Sequence, residues 1–366
     1  MKIGIQTYHA VYNVGAMLQA LATALALKKL GHESQIIDYY PFPIEQANEI
    51  VLTRITARNV IHYANRHLNP FTIRRLERFR KFRNLMPLTR RYYSFDDLKN
   101  DPPLFDLHVS GSDQIWNITN KYDPVFFLTY LPTGKNKISY ASSFGVDSFQ
   151  DTKLNELNDL LKDYQSIAVR EISGAEIIRR ACGREAKVVL DPTFLLTPDE
   201  WSKIADQAEK SSVPRNGYWY MSQLEMANPN NKSNIEKINK SLRIPCVEYT
   251  TKIFNPRRNV ESVYDAGPLE FLDLVRGSKF VCTSSFHTMA FALHFHKDFY
   301  VIRHSNGRNC RMDSLLEQLG LQNRIVECIP EIITPIDYSA VDIKRQELVN
   351  QSFDYLVSAT QKKAKQ

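Results

Sequence analysis

A chain of 366 residues that is 43% apolar exceeds one ordinary core and points to two domains of Rossmann-like size. No window approaches the roughly 18 unbroken apolar residues of a membrane span, and Met1 to Tyr8 read as a strand rather than a signal peptide, so the expected location is the cytoplasm. Five cysteines, at 182, 246, 282, 310 and 328, are odd in number and widely spaced, without a C-x-x-C pair; this argues against a disulfide framework or a zinc site, and no bound metal or cofactor is expected.

In chain order, residues 2–7 predict a strand, 16–30 a helix with Leu18, Leu21 and Leu25 on one face and an end at Gly31, and 35–39 a second strand. The net charge of +7 is concentrated next: residues 54–91 hold eleven Arg or Lys against Glu77, which leaves the rest of the chain near −3. Interleaved with Ile61, Phe71, Ile73, Leu76, Phe79, Phe82 and Leu85, this helical stretch suits either an amphipathic helix packed on its own domain or a peripheral contact with an anionic membrane surface. Short apolar runs at 104–110, 137–141, 166–169 and 188–190 and a helix at 171–182 complete an N-terminal domain, 1–196. The pattern then restarts over 197–340, with strands at 217–221, 246–249, 279–283 and 299–302 and helices at 230–241, 268–277, 287–295 and 312–319; a last helix occupies 341–366 from about 340. Strand and helix alternating with short connections predict an α/β fold of two Rossmann-like domains with parallel sheets.

In such sheets ligands bind outside the carboxyl ends of the strands. Five polar clusters fall there: Asn13-Val14-Gly15, Gly111-Ser112-Asp113-Gln114, Ser142 to Gly145, Arg170-Glu171 and Ser284-Ser285-Phe286-His287. They predict one cleft between the two domains. His287 opens a helix, where it either caps and packs or acts as acid or base. His294 and His296 read as structural, and His304 is undecided. Arg170 ends an apolar run, and its guanidinium either forks onto phosphate and carboxylate or pairs with Glu171 or Glu176. Arg311 carries the same two readings. Asp113 sits in a glycine-led turn where it either holds a sugar hydroxyl or caps its own backbone. Trp116 is either a sugar platform or a core anchor. The absence of G-x-G-x-x-G and of G-x-x-x-x-G-K-[ST] argues against a dinucleotide or P-loop ATP.

Taken in order, Asn13-Val14-Gly15-Ala16-Met17-Leu18-Gln19-Ala20, Val109-Ser110-Gly111-Ser112-Asp113-Gln114-Ile115-Trp116-Asn117, Ala168-Val169-Arg170-Glu171, Leu190-Asp191-Pro192-Thr193 and Thr283-Ser284-Ser285-Phe286-His287-Thr288 resemble the motifs of polysaccharide pyruvyl transferases. The resemblance implies a GT-B-like glycosyltransferase architecture, phosphoenolpyruvate as donor, and a cell-surface glycan or lipid-linked oligosaccharide as acceptor, with no nucleic acid partner. Carried over by position, it implies catalytic roles for His287, Arg170 and Asp113. The donor side would be Ser284, Ser285, Thr288 and Arg311, and the acceptor side Asn13, Gly15, Gly111, Ser112, Gln114 and Trp116. Some family members have an arginine two residues before the histidine; Ser285 stands there in this chain. Either Arg311 replaces that cation or the donor is not phosphoenolpyruvate. Two rival functions remain at this point: a nucleotide-sugar glycosyltransferase on the same fold, and a non-catalytic protein that binds through 54–91.

Overall fold

The computed structural model describes residues 1–41, 68–120, 122–209, 218–225, 228–250, 260–304 and 309–361. The elements of the first half are β1 (Lys2–Gln6), α1 (Val14–Lys29), β2 (Glu33–Tyr39), α2 (Pro70–Arg83), β3 (Leu88–Tyr92), α3 (Phe95–Asn100), β4 (Leu107–Ser110), β5 (Lys137–Ser139), α4 (Asp151–Leu161), β6 (Ala168–Val169), α5 (Ile172–Cys182) and β7 (Lys187–Val188). The second half adds α6 (Pro198–Ala205), β8 (Tyr220–Gln223), α7 (Asn231–Leu242), β9 (Cys246–Tyr249), β10 (Val260–Val263), α8 (Pro268–Gly277), β11 (Phe280–Thr283), α9 (Phe286–His294), β12 (Asp298–Ile302), α10 (Cys310–Leu319), β13 (Ile325–Val326) and α11 (Tyr338–Gln361).

The chain divides into two units, one of Met1–Val51, Arg83–Leu196 and Arg345–Gln366, the other of Leu52–Phe82 and Thr197–Lys344. In the first, β3-β2-β1-β4-β5 form a wholly parallel sheet. It continues toward the β6–β7 pair through bridges from Ile138 to Ser166 and from Ser142 to Val169. α1 is fixed at its start by Asn13, whose side-chain oxygen accepts from the Ala16 amide at 3.1 Å, and ends in Lys28 and Lys29 ahead of Gly31 at φ +80°, a left-handed residue that costs glycine nothing. The core gathers Trp116, Phe127, Phe144 and Tyr164. α11 returns to this unit: the Tyr355 hydroxyl donates to the Ser139 carbonyl at 2.8 Å and the Leu190 amide donates to Ser352 Oγ at 3.0 Å.

In the second unit the six parallel strands run β10-β9-β8-β11-β12-β13. α6 opens with a reciprocal cap between Thr197 and Glu200 and seats Trp201 edge-on against Phe291, ring centroids 5.0 Å apart. Both sheets put their first strand centrally, with the second strand on one side and the fourth on the other. The chain therefore reverses direction of winding beside β1 and beside β8, and a crevice opens outside the carboxyl ends of β1 and β4 and, separately, of β8 and β11.

The basic stretch differs from expectation. Among its described residues, 70–83 are helical, but the helix stops at Arg83 and, after a turn, Leu88–Tyr92 pair with β2, Arg91 opposite Asp38; residues 54–67 lie outside the described residues. Much of the charge is also neutralised in place. Arg78 is buried, donating to the Asp265 carbonyl at 2.9 Å and lying 3.0 Å from the Asp265 carboxylate. Arg83 and Arg91 both pair with Asp38, at 2.5 and 3.3 Å.

Candidate functional site

At the β1–β4 crevice of the first unit, Gln19 of α1 ties two loops together. Its amide donates to Thr7 Oγ1 at 2.9 Å and to the Tyr8 carbonyl at 3.0 Å, while its carbonyl oxygen accepts from the Ser112 amide at 3.3 Å. Thr7 Oγ1 donates to the Ser112 carbonyl at 2.8 Å. Gly111 stands at φ +131°, and a Cβ there would lie 2.0 Å from the Tyr140 carbonyl oxygen. Gly111→Ala therefore combines backbone strain of about 1–3 kcal/mol with overpacking of about 1–3 kcal/mol. Gly134→Ala, at φ +83° with nothing within 4 Å, carries the strain alone. Denaturant midpoints should fall further for Gly111→Ala than for Gly134→Ala, and equal losses would refute the steric account.

Arg170 is the hub of this half. Its side chain is 2% exposed, with Nη2 2.9 Å from Asp191 Oδ2 and Nη1 3.7 Å from Asp113 Oδ1. It also donates to Ser112 Oγ, which in turn donates to the Ala141 carbonyl at 3.0 Å. Asp191 is held from the other side by the Thr193 amide and hydroxyl at 2.9 and 2.7 Å. The partner is neither Glu171 nor Glu176. The Glu171 carboxylate accepts from Ser143 Oγ, the Phe144 amide and the Gly145 amide, and Glu176 pairs with Arg179. The expectation of a guanidinium aimed at a ligand is thus corrected: Arg170 is buried against two carboxylates and shapes the Ser112–Asp113 turn. Asp113 occupies φ +80°, its Oδ1 accepts from the Gln114 amide at 2.8 Å, and 15% of its side chain stays exposed.

Trp116 is also corrected as an acceptor residue. It is fully buried, donates from its indole N–H to Ser110 Oγ at 3.1 Å, and stacks on Phe127 with centroids 5.7 Å apart; no sugar reaches that ring. Asn13 is exposed at the start of α1, whereas Gly15 is buried in its first turn. Gln114 packs on Gly145, where an added Cβ would meet its amide. The aromatic residue that does reach the crevice is Tyr8, directly after β1. Half-buried, its ring packs edge-on against Phe126 at 4.5 Å. Burial, aided by the charges of Asp113 and Asp123, pushes its hydroxyl up to about 12, so Tyr8 stays a hydrogen-bond donor at neutral pH. Its place between a strand end and a helix cap was the available sequence signal.

At the β8–β11 crevice of the second unit, Ser285 caps α9 by accepting from the Thr288 amide at 3.5 Å. The Ser284 amide and Thr283 Oγ1 both donate to the Gln223 carbonyl, at 2.9 and 3.0 Å. Thr288 Oγ1 donates to Gln223 Oε1. His287 is 8% exposed in the first turn, edge-on to Phe286 with centroids 5.3 Å apart. Arg311 lies across the same Phe286, its guanidinium carbon 5.7 Å from the ring centroid. The fold thus brings Ser284, Ser285, His287, Thr288 and Arg311 together in this unit. It gathers Asn13, Gly111, Ser112, Asp113, Gln114 and Arg170 in the other. His294, 2% exposed, belongs to the core with Trp201 and Phe291. Sequence reasoning missed Gln223 and Glu225 and gave Asp191 no role beyond its place in a motif, because these roles arise from contacts between distant strand ends. Among the described residues, no helix is long and apolar enough to cross a membrane.

The fold is shared with an epimerase and a glycosyltransferase. The UDP-GlcNAc 2-epimerase of Methanocaldococcus jannaschii is similar with a TM-score of 0.52 at 14% identity, over 98% of this chain and 99% of that one. A glycosyltransferase involved in avilamycin A biosynthesis is similar with a TM-score of 0.51 at 11% identity, over 98% and 97%. Such identities speak for the two-Rossmann, GT-B-type fold alone. No curated protein matches the chain by sequence. The sequence model of polysaccharide pyruvyl transferases, however, matches residues 13–306, a span that begins at the Asn13 cap and takes in the Gly111–Gln114 turn, Arg170 and Ser284–Thr288 but neither Tyr8 nor Arg311, and the chain belongs to that family.

Proposed function

We propose that this protein transfers the pyruvyl group of phosphoenolpyruvate to a pair of hydroxyls on a cell-surface glycan or its lipid-linked precursor, forming a ketal. The observation that carries the reading is the start of α9. There a helix N-terminus, the hydroxyls of Ser284 and Ser285, the imidazole of His287 and the cation of Arg311 share one strand end. That set suits a small donor bearing a phosphate and a carboxylate. Arg311 takes the place of the cation that some relatives carry at the position of Ser285. In the first unit, Asp113 and the Tyr8 hydroxyl serve the acceptor hydroxyls, and Arg170 keeps Asp113 in position.

A lipid-linked acceptor also fits the surface of α2, which exposes Phe71 and Ile73 beside Arg74, Arg80 and Lys81, with Leu68 just before it. Apolar side chains among surface cations, of which Arg74 pairs with Asp265 and Lys81 with Glu209, suit shallow contact with an anionic bilayer at the cytoplasmic face.

Incubation with phosphoenolpyruvate and a lipid-linked oligosaccharide extract should release inorganic phosphate and add the mass of a pyruvyl ketal to the acceptor. The competing nucleotide-sugar reading predicts the reverse. Thermal stabilisation by UDP-GlcNAc and none by phosphoenolpyruvate, with no phosphate released, would defeat the pyruvyl assignment.

A further inference from the structure

Three neighbouring strands of the second sheet, β8, β11 and β12, end on the same edge. The segment leaving β11 carries Ser284 to His287; the segments leaving β8 and β12 flank it and bring Glu225 and His304 into contact. Glu225 Oε2 lies 3.1 Å from His304 Nδ1, with the two side chains 19% and 26% exposed. Both residues are anchored through their main chains. The Glu225 amide donates to Ser284 Oγ at 2.6 Å, and its carbonyl accepts from Asn231 Nδ2 at 2.5 Å. The His304 amide donates to Asn309 Oδ1 at 2.9 Å, and its carbonyl accepts from Asn309 Nδ2 at 3.4 Å. The adjacent Arg303 is turned to Asp313, at 2.8 and 3.1 Å, so it does not compete for Glu225.

The Glu225 carboxylate, at ion-pair distance from Nδ1 but outside hydrogen-bond geometry, favours the tautomer with its proton on Nδ1, which leaves Nε2 for a reactant. A carboxylate so placed stabilises, through its charge, the imidazolium formed when Nε2 takes up a proton. We propose that Glu225 and His304 form a second proton-transfer pair beside His287, with His304 the base and Glu225 its positioning residue; the proposal rests on the pyruvyl-transfer reading. The chemistry needs two such groups. As the first sugar hydroxyl bonds to C2 of phosphoenolpyruvate, its proton passes to His304, and the electron pair of the C2–C3 double bond takes a proton from His287 to make the methyl group. The C2–O bond to phosphate then breaks, the electron pair leaving with phosphate, which receives the proton held by His304. The second hydroxyl adds to C2 and returns its proton to His287. Two hydroxyl protons are lost, one is gained by carbon and one by phosphate, so both histidines end as they began.

The test compares the unmodified chain with H304Q, H304N, E225Q and E225D in phosphate release from phosphoenolpyruvate with the lipid-linked acceptor extract, across pH. Loss of a positioned base should lower kcat of both His304 variants by about 10²–10⁴-fold, with KM for phosphoenolpyruvate little changed and one limb of the pH profile removed. E225Q should lose less and alter the same limb, and E225D should recover most of the rate. His304 variants with unmodified kcat and pH profile would overturn the proposal alone. A loss accompanied by a lowered melting midpoint and an unmodified pH profile would likewise overturn it, as the mark of a structural residue. Absence of phosphate release from the unmodified chain would instead overturn the pyruvyl reading on which the proposal stands.

Discussion

Arg170→Met is expected to destabilise the first unit by about 3–5 kcal/mol, the usual consequence of removing one partner from a buried ion pair. The reason lies with what is left behind. Asp191 is 1% exposed as a residue, and its Oδ2 faces the guanidinium at 2.9 Å, so methionine strands a carboxylate where water does not compensate it. Asp191→Asn keeps the oxygen that Thr193 uses but gives up the charge, and then Arg170 is left with the more distant Asp113 carboxylate alone, at 3.7 Å. The double substitution removes both charges and should cost less than the two single losses combined, with a coupling of about 1–3 kcal/mol in a double-mutant cycle read from denaturant unfolding. Additive losses would show that Arg170 and Asp191 do not stabilise each other and would remove the physical basis for treating Arg170 as the hub of the Ser112–Asp113 turn.

That hub marks how far the sequence could be read. Local signals sufficed for the frame: the Leu18, Leu21 and Leu25 spacing and the Gly31 stop describe α1 to within a few residues, and the apolar runs that became β2, β9 and β11 were legible as strands because they alternate with helices over short loops. The same signals failed where a segment's state depends on a distant partner. Leu88–Tyr92 carries two arginines in five residues and reads as part of a basic helix until β2 offers it a parallel neighbour. Trp116, after a polar turn, reads equally as a sugar platform or a core anchor, and Phe127, Phe144 and Tyr164 decide the matter by enclosing it. Arg170 and Ser112 are 58 residues apart, and Glu225 and His304 leave different strands, so neither pairing has a local signature. Sequence located the strand ends where chemistry belongs; the partners that decide each side chain's role come from the topology that places those ends side by side.

On the proposed pyruvyl transfer, His287→Ala should lower kcat by about 10²–10⁴-fold, the range for loss of a positioned acid or base, while KM for phosphoenolpyruvate changes little. Arg311→Ala should do the opposite in kind, raising KM for the donor because a cation that binds phosphate or carboxylate acts on the ground state as well as the transition state. The split follows from position. His287 lies inside the first turn of α9, immediately after the cap that Ser285 provides, whereas Arg311 comes from α10 and reaches the same strand end by lying over Phe286. His294, near the other end of α9, supplies the control. Buried with Phe291 and Trp201, it should cost stability when replaced by alanine, by about 1–3 kcal/mol for a truncation that leaves a cavity and unmatched neighbours, and leave kcat intact in the protein that remains folded. Steady-state kinetics on the three variants, with melting midpoints beside them, separate these outcomes. Unmodified kcat in His287→Ala would remove the imidazole from the reaction, and an unmodified donor KM in Arg311→Ala would leave Ser285 without the substitute cation that a doubly anionic donor demands.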